Sequence, residues 1–368
     1  MSSKSDLQQI TLQQTTEPDP AHGARLATLD MFKGIAMLAV VLIHVSSHAL
    51  RRLEGEHVQF VVLILNRAAQ FAVPAFLFLT ALMATRSSLR SGFSALRFYQ
   101  SKLSKILVPY LIWSLIYGLF RVAISAVVLS DLSSLTLWCD WLLGGDAFYH
   151  LYFLVVVLQF YAIFPLVRSF VRLPTLPAVA LLLALQVGAY WLNRLVLNSP
   201  SPGSLASSYI VVLGLGMLVG ARLEGWLTFW RRWRLAILAV AAGSLTLYLP
   251  DAVLALLGVP VNTFAFSAAS WVYSSAFALA LLGVCISFDQ RSLGRSRGGA
   301  LELIGRWSFS VYLIHPAVIV AFGGFAVSSD AGTLAVELIV LVALAVLVPL
   351  SVAWVLEGSR LSRWAFGR

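Results

Sequence analysis

A cation, Lys33, and an imidazole, His44, interrupt the apolar stretch "LDMFKGIAMLAVVLIHVSSHAL", residues 29–50. Lys33 and His44 are eleven residues apart, about three helical turns and ~16 Å of rise. Eleven residues make almost whole turns, so both side chains share one helix face, and His48 follows one turn later on the same face. The bland readings are clear: Lys33 could snorkel to headgroups, and His44 could hydrogen-bond a neighbouring helix. Against them, ionisable groups deep in an apolar segment mark proton relays and substrate paths. An imidazole can take a proton as general base or accept a group as nucleophile. Hydrolysis by a Ser/His/Asp set has no nucleophile elbow to support it. No glycine loop that would cradle phosphate appears either.

The elements that must hold these residues are membrane helices. The chain has 368 residues, 60% hydrophobic and 11% charged, with a mean hydropathy of +0.87. A soluble domain needs far more polar surface, so the fold class expected is an all-α polytopic membrane protein. Apolar runs fall near 29–50, 58–85, 106–129, 150–167, 176–196, 208–222, 235–250, 264–287, 308–328 and 334–356, which predicts about ten transmembrane helices. The net charge of +10 follows from the excess of Lys and Arg on one side of a membrane, which removes the nucleic-acid reading. Arg86, Arg90, Arg97, Lys102, Lys105, Arg168, Arg172, Arg222, Arg231, Arg232, Arg234, Arg291, Arg295, Arg297 and Arg306 all fall in alternate loops. Asp131, Asp140, Asp146, Asp251 and Asp330 fall in the others, which hold little basic charge beyond Arg51, Arg52 and Arg194. Arg360, Arg363 and Arg368 add to the C-terminal tail. This asymmetry predicts both termini inside (N-in and C-in). The organisation expected is a disordered cytoplasmic tail over 1–28, a transmembrane domain over 29–356 and a cytoplasmic tail over 357–368. Cys139 and Cys285 fall on opposite sides in this topology, so no disulfide is expected. No fixed-period repeat or paired broken helices point to an inverted-repeat transporter.

Within that frame, Arg67 lies inside the second span, seven residues before Pro74. Helix two is therefore expected to break there, with Arg67 lining a cavity or meeting an acidic partner. His150 opens the fourth span beside Tyr149 and Tyr152, which also fits an aromatic belt at the outer interface. His315 sits in "SFSVYLIHPAV", two turns into the ninth helix from the inside, where a hydrogen bond to a neighbouring helix is an equal reading. His44 and His48 have the i, i+4 spacing that suits zinc. The topology puts His150 outside and His315 in the inner half, so no third ligand is evident and no metal is expected.

These stretches resemble one family. "LDMFKGIAMLAVVLIH" is similar to the Arg/Lys-x10-His signature of the integral-membrane acyltransferase-3 family, which includes bacterial sugar and exopolysaccharide O-acyltransferases. "RAAQFAVPAFLFLTALM" resembles the family's second helix, with Arg67 and Pro74. "KLSKILVPYLIW" resembles its basic cytoplasmic motif, here Lys102, Lys105 and Pro109. "YHLYFLVVVLQFYAIFP" and "FSVYLIHPAV" resemble its later His-bearing segments. The resemblance runs over 29–356. Two departures stand out. Thr80-Ala81 replaces a frequent Ser-Gly, and lysines replace arginines in the basic motif, which loses bidentate geometry but keeps a phosphate-binding charge. The "HLYFLVVVLQFY" variant is most similar to the exopolysaccharide and biofilm branch.

The resemblance implies transfer of an acyl group, acetyl first, from cytoplasmic acyl-CoA to an extracytoplasmic sugar hydroxyl. On that reading Lys33, Lys102 and Lys105 meet CoA phosphates, His44 is base or nucleophile, and Arg67 orients it or steadies the thioester oxygen. His150 faces the incoming sugar, with Tyr152 and Trp141 stacking on its rings, and His315 is a further candidate. The expected partners are acyl-CoA, a sugar or polysaccharide acceptor, the lipid bilayer of a bacterial inner membrane, and a second copy or glycan-synthesis machinery. The rival reading is a polysaccharide exporter or flippase without acyl transfer, and acyl-CoA dependence separates the two.

Overall fold

A computed structural model describes residues 20–51, 56–89, 92–291, 299–325 and 331–367. Expectations resting on residues 1–19 and on Arg52, Arg90, Arg295, Arg297, Asp330 and Arg368 lie outside the described residues. Everything regular among the described residues is helical, as a chain that must satisfy its own backbone in lipid requires. In chain order the helices are α1 (Pro20–Leu50), α2 (Glu56–Ala68), α3 (Ala72–Ser88), α4 (Ala95–Lys102), α5 (Val108–Ala123), α6 (Leu135–Gly144), α7 (Tyr152–Val167) and α8 (Thr175–Leu192). They continue as α9 (Ile210–Ala221), α10 (Leu223–Leu256), α11 (Thr263–Arg291), α12 (Ala300–Arg306), α13 (Ser308–Phe322), α14 (Ala331–Val355) and α15 (Arg360–Phe366).

Among the described residues eight helical stretches are long and apolar enough to cross a membrane, nine if α12 and α13 count as one span bent by 87°. The shorter apolar stretch Ala206–Ala221 falls on the remaining predicted run, so each of the ten apolar runs contains helix. The protein is a multi-pass membrane protein.

Several boundaries differ from the sequence reading, each for a local reason. Helix α1 already starts at Pro20, inside the expected tail. The third span begins at Ala95, because α4 passes through a π-turn at Leu103–Leu107 straight into α5. Lys102 and Lys105 therefore sit on helical backbone, not in a loop. Helix α10 starts two residues after α9 ends, which puts Arg231, Arg232, Arg234 and Asp251 on a helix. The C-terminal stretch is part of the fold: α15 packs on α5, where the Trp113 indole Nε1 donates to the Ala365 carbonyl (2.9 Å). The expected break in helix two is present. Pro74 cannot donate to a ladder, and the chain turns at 69–71 between α2 and α3. The Ala68 carbonyl at this break accepts from the Tyr273 hydroxyl of α11.

Helix α1 is the hub, packing against α2, α3, α11, α12, α13 and α14. Its first turns are clamped by α12 at van der Waals distance. A Cβ on Gly34 would collide with the Leu301 carbonyl, and one on Gly305 with the Asp30 carbonyl. Only glycine permits that approach. It sets Arg306, the next residue, beside the Lys33 end of α1.

Candidate active site

The histidines that the sequence distributed between inner and outer halves come together. The His44 ring on α1 lies 5.3 Å from that of His315 on α13. His315 in turn lies 5.7 Å from His150. His150 and His315 are fully buried and His44 is half-buried. The structure thus corrects the interfacial placing of His150.

Three local devices build this cluster. First, α6 ends at Gly145 with φ of +81°, and a Cβ there would strike the Tyr152 backbone. The chain folds back through 145–151, which carries His150 inward, ahead of α7. The Tyr312 hydroxyl then donates to the His150 carbonyl. Second, Pro316 removes a helical donor just after His315. The neighbouring Leu313 carbonyl accepts from the Tyr117 hydroxyl of α5 (2.6 Å). The His315 imidazole itself uses Nδ1 against the Val311 carbonyl (2.9 Å), which leaves Nε2 for other work. Third, Asn66 of α2 is fully buried and donates through Nδ2 to the Ile43 carbonyl (2.9 Å) and to the Ser46 and Ser47 hydroxyls (2.8 Å each). These contacts bracket His44 and fix its turn of α1.

Aromatic rings complete the walls. Tyr149 lies 4.8 Å from His44, and Tyr117 and Tyr312 each lie 5.0 Å from His150. Neither ring nitrogen of His150 makes a well-formed hydrogen bond, the Leu313 carbonyl being its nearest polar neighbour, nor does Nε2 of His315. Each buried group left so costs about 1–3 kcal/mol, so three such nitrogens at one point need an explanation beyond packing. Among the described residues no group of three or more His, Cys, Asp or Glu is arranged to hold a metal ion. His48 is not part of such a pair, because its Nε2 binds the Gly323 carbonyl at 3.0 Å. Cys139 and Cys285 are free thiols.

A cavity of about 330 Å³ stops one ring short of this cluster: Tyr312 lines it and lies 5.0 Å from His150, while no histidine does. Lys33 and Arg306 line one end, and Val40, Leu154 and Tyr312 the other, with Phe76, Val157 and Ile106 between. It is narrow and apolar with a basic mouth. Lys33 also pairs with Asp30 at 2.6 Å, a partner the sequence reading did not name. Arg306 had been counted only as loop charge, although its place beside a glycine was legible.

The other predicted site residues are placed as follows. Lys102 is half-buried, its Nζ 4.8 Å from the Tyr161 ring centre and 5.5 Å from that of Phe98, a cation–π arrangement. Lys105 is exposed. Arg67 ends α2 beside the helix break, within electrostatic reach of Tyr248 of α10, and its Nε has no hydrogen-bond partner. With a cavity or an acidic partner expected, the neighbouring group is a phenol rather than a carboxylate. Tyr152 is half-buried in the core at the start of α7. Trp141 is 5% exposed, with the Arg121 guanidinium 4.7 Å over one face and Trp138 edge-on at 5.3 Å. It has no free face for a sugar ring, which corrects the stacking role expected of it.

Comparison with known proteins agrees with this architecture. The profile of the acyltransferase-3 domain family, described as an acyltransferase domain, matches residues 26–357. The chain belongs to the acyltransferase-3 family. Among curated relatives of this family member is a protein of Staphylococcus aureus (strain MRSA252) named "Probable poly-beta-1,6-N-acetyl-D-glucosamine export protein". It is 23% identical over 260 residues, 68% of this chain and 69% of the relative. A protein of the same name from Staphylococcus epidermidis is 22% identical over 261 residues, 68% of each chain. No solved structure matches the chain.

Proposed function

We propose that this acyltransferase-3 protein transfers an acyl group, acetyl first, from cytoplasmic acyl-CoA to a hydroxyl of an extracytoplasmic sugar or exopolysaccharide. The carrying observation is the convergence of His44, His150 and His315 behind Tyr312, which lines an apolar cavity that Lys33 and Arg306 also line. Phosphates of CoA would meet the basic mouth, and the thin pantetheine arm suits the narrow apolar passage. One imidazole then takes the proton of the sugar hydroxyl while its oxygen attacks the thioester carbonyl. The carbon–sulfur bond breaks, and the proton passes to the departing CoA thiolate. A second imidazole can hold the first in place. His44 is the favoured base, since it alone of the three keeps some surface accessible and follows Lys33 along α1. The setting is a bacterial inner membrane with both termini in the cytoplasm.

A second reading is favoured by the relatives' names: export of a polysaccharide without acyl transfer. The test is purified protein in nanodiscs with isotope-labelled acetyl-CoA and an oligosaccharide acceptor, followed by mass spectrometry. Label on the glycan that disappears with His44→Ala supports the enzyme. Glycan that crosses a vesicle membrane unlabelled and indifferent to acyl-CoA would replace it with the exporter.

A further inference from the structure

At the opposite end of the bundle from Lys33 and Arg306, a second and larger cavity of about 700 Å³ opens between α8, α11 and the segment 193–209. It falls within the ~300–1,000 Å³ of ligand pockets. Its lining is unlike that of the cavity at Lys33 and Arg306. Asn193, Arg194, Asn198, Ser207, Thr263 and Ser267 contribute amides, hydroxyls and one guanidinium, and no carboxylate lines it. The backbone here is irregular, with a π-turn at Asn193–Leu197 and 3-10 turns at Pro202–Ser204 and Ala206–Tyr209. In a membrane protein such backbone is tolerated where it is buried or lines a wet cavity.

Aromatic rings stand at the rim. Tyr190 lies 6.0 Å from Trp271 and 5.4 Å from Phe264, with the Tyr190 hydroxyl 2.9 Å from Thr263 Oγ1. Rings alone would suit a headgroup belt. A belt does not account for the polar lining behind them. A smaller cavity of about 200 Å³ continues inward, sharing Gln186, Ser208, Ser267 and Trp271 with the first. It is lined by Ser270, Ser274 and Ser275 and ends at Pro74 of α3. Ser275 is 7% exposed, and its Oγ has no hydrogen-bond partner. Val73, the preceding residue on α3, lines the cavity at Lys33 and Arg306. The two cavities therefore flank one turn of α3.

We propose that this polar cavity is a binding site for a neutral glycan segment, separate from the histidine cluster. The chemistry is that of sugar recognition. Planar amides and hydroxyls exchange hydrogen bonds with sugar hydroxyl or acetamido groups, and flat rings cover the apolar face of a pyranose. An anionic polymer would bring many charges to a single Arg194. An acyl chain would strand the amides. The choice of a glycan over other neutral polar ligands rests on the proposed acceptor class, but the binding itself does not depend on acyl transfer.

The test is binding of a β-1,6-linked N-acetylglucosamine hexasaccharide to full-length protein in phosphatidylcholine and in phosphatidylglycerol nanodiscs, measured by calorimetry. The wild type and His44→Ala are expected to bind equally in both lipids. Trp271→Leu and Asn193→Ala are each expected to weaken binding about tenfold, the loss of one aromatic or hydrogen-bonding contact. Arg194→Ala, at an exposed side chain that cannot unfold the bundle, is expected to weaken it less. Absence of hexasaccharide binding to the wild type overturns the proposal. So does unchanged affinity in all three cavity variants, or binding abolished by phosphatidylglycerol, which would make the cavity a lipid-headgroup site. Binding retained without any acyl transfer would overturn the enzymatic reading and leave the glycan site standing.

Discussion

His44 and His48 share a helix face, yet their surroundings separate them. His44 keeps some surface accessible in a cluster with imidazole nitrogens that lack well-formed hydrogen bonds, whereas His48 spends Nε2 on the Gly323 carbonyl. His44→Ala is expected to reduce acyl transfer by ~10²–10⁴-fold, the usual loss of a general base, with an unchanged melting profile. Transfer at wild-type rate in matched amounts of folded protein would remove His44 from the chemistry. His48→Ala is expected to do the reverse, lowering the melting temperature while each folded molecule turns over within a few-fold of wild type. Asn66 belongs to a third class, because it touches the backbone around His44 and not the ring. Asn66→Ala removes three buried contacts, although the Ser46 hydroxyl still donates to the Leu42 and Ile43 carbonyls, a loss of about 1–3 kcal/mol. It should depress kcat more than the KM for acyl-CoA, because it shifts the base and not the donor mouth. A pure KM effect would argue against that positioning role.

Elements decide how far sequence neighbours end up apart. The α6–α7 turn exists because Gly145 adopts φ of +81° with no room for a Cβ beside Tyr152. Gly145→Val adds strain of about 1–3 kcal/mol at such a position and a backbone collision, so His150 should be displaced from the cluster. The expected readout is loss of transfer in protein that still reaches the membrane, with His150 chemical shifts moved in ring-labelled samples. Unaltered His150 resonances would mean the turn can be made another way. The α4–α5 helix carries a similar lesson about charge. Lys102 lies among the Phe98 and Tyr161 rings while Lys105 is exposed, and Lys33 and Arg306 line the cavity mouth. Replacing Arg306 by Ala is therefore expected to raise the KM for acyl-CoA several-fold. The Lys102/Lys105 double alanine variant should change it less. The opposite order would return the donor site to the basic motif.

At the scale of the whole molecule, the proposed orientation can be read by labelling single cysteines in a background where Cys139 and Cys285 are serine. Cysteine at exposed Ser104 should react only after the membrane is permeabilised, and at exposed Ser201 without it. Equal reaction of both from outside would overturn the N-in arrangement. The sequence by itself determined the class of the fold and offered most of the candidate residues. Burial in lipid leaves few solutions for a 60% hydrophobic chain, and runs of apolar residues report each helix directly. The Pro74 break was legible for the same reason, since proline acts on its own backbone. The Lys33–His44 stripe was legible because one helix fixes the spacing of its own side chains. Only the tertiary structure decided what the residues do together. His150 and His315 seemed to lie in different halves because apolar runs give where a helix starts, not how a glycine turn re-enters the bundle. Trp141 read as a sugar platform until Arg121 and Trp138 were seen to cover it. Asn66 carried no signal of its own, because a buried amide acquires meaning only from the helix packed against it, and the glycine beside Arg306 marked a close approach without saying to which helix. Contacts between helices depend on which faces meet, and that is set by small-residue clamps such as Gly34 against Leu301 and Gly305 against Asp30, far apart in the chain.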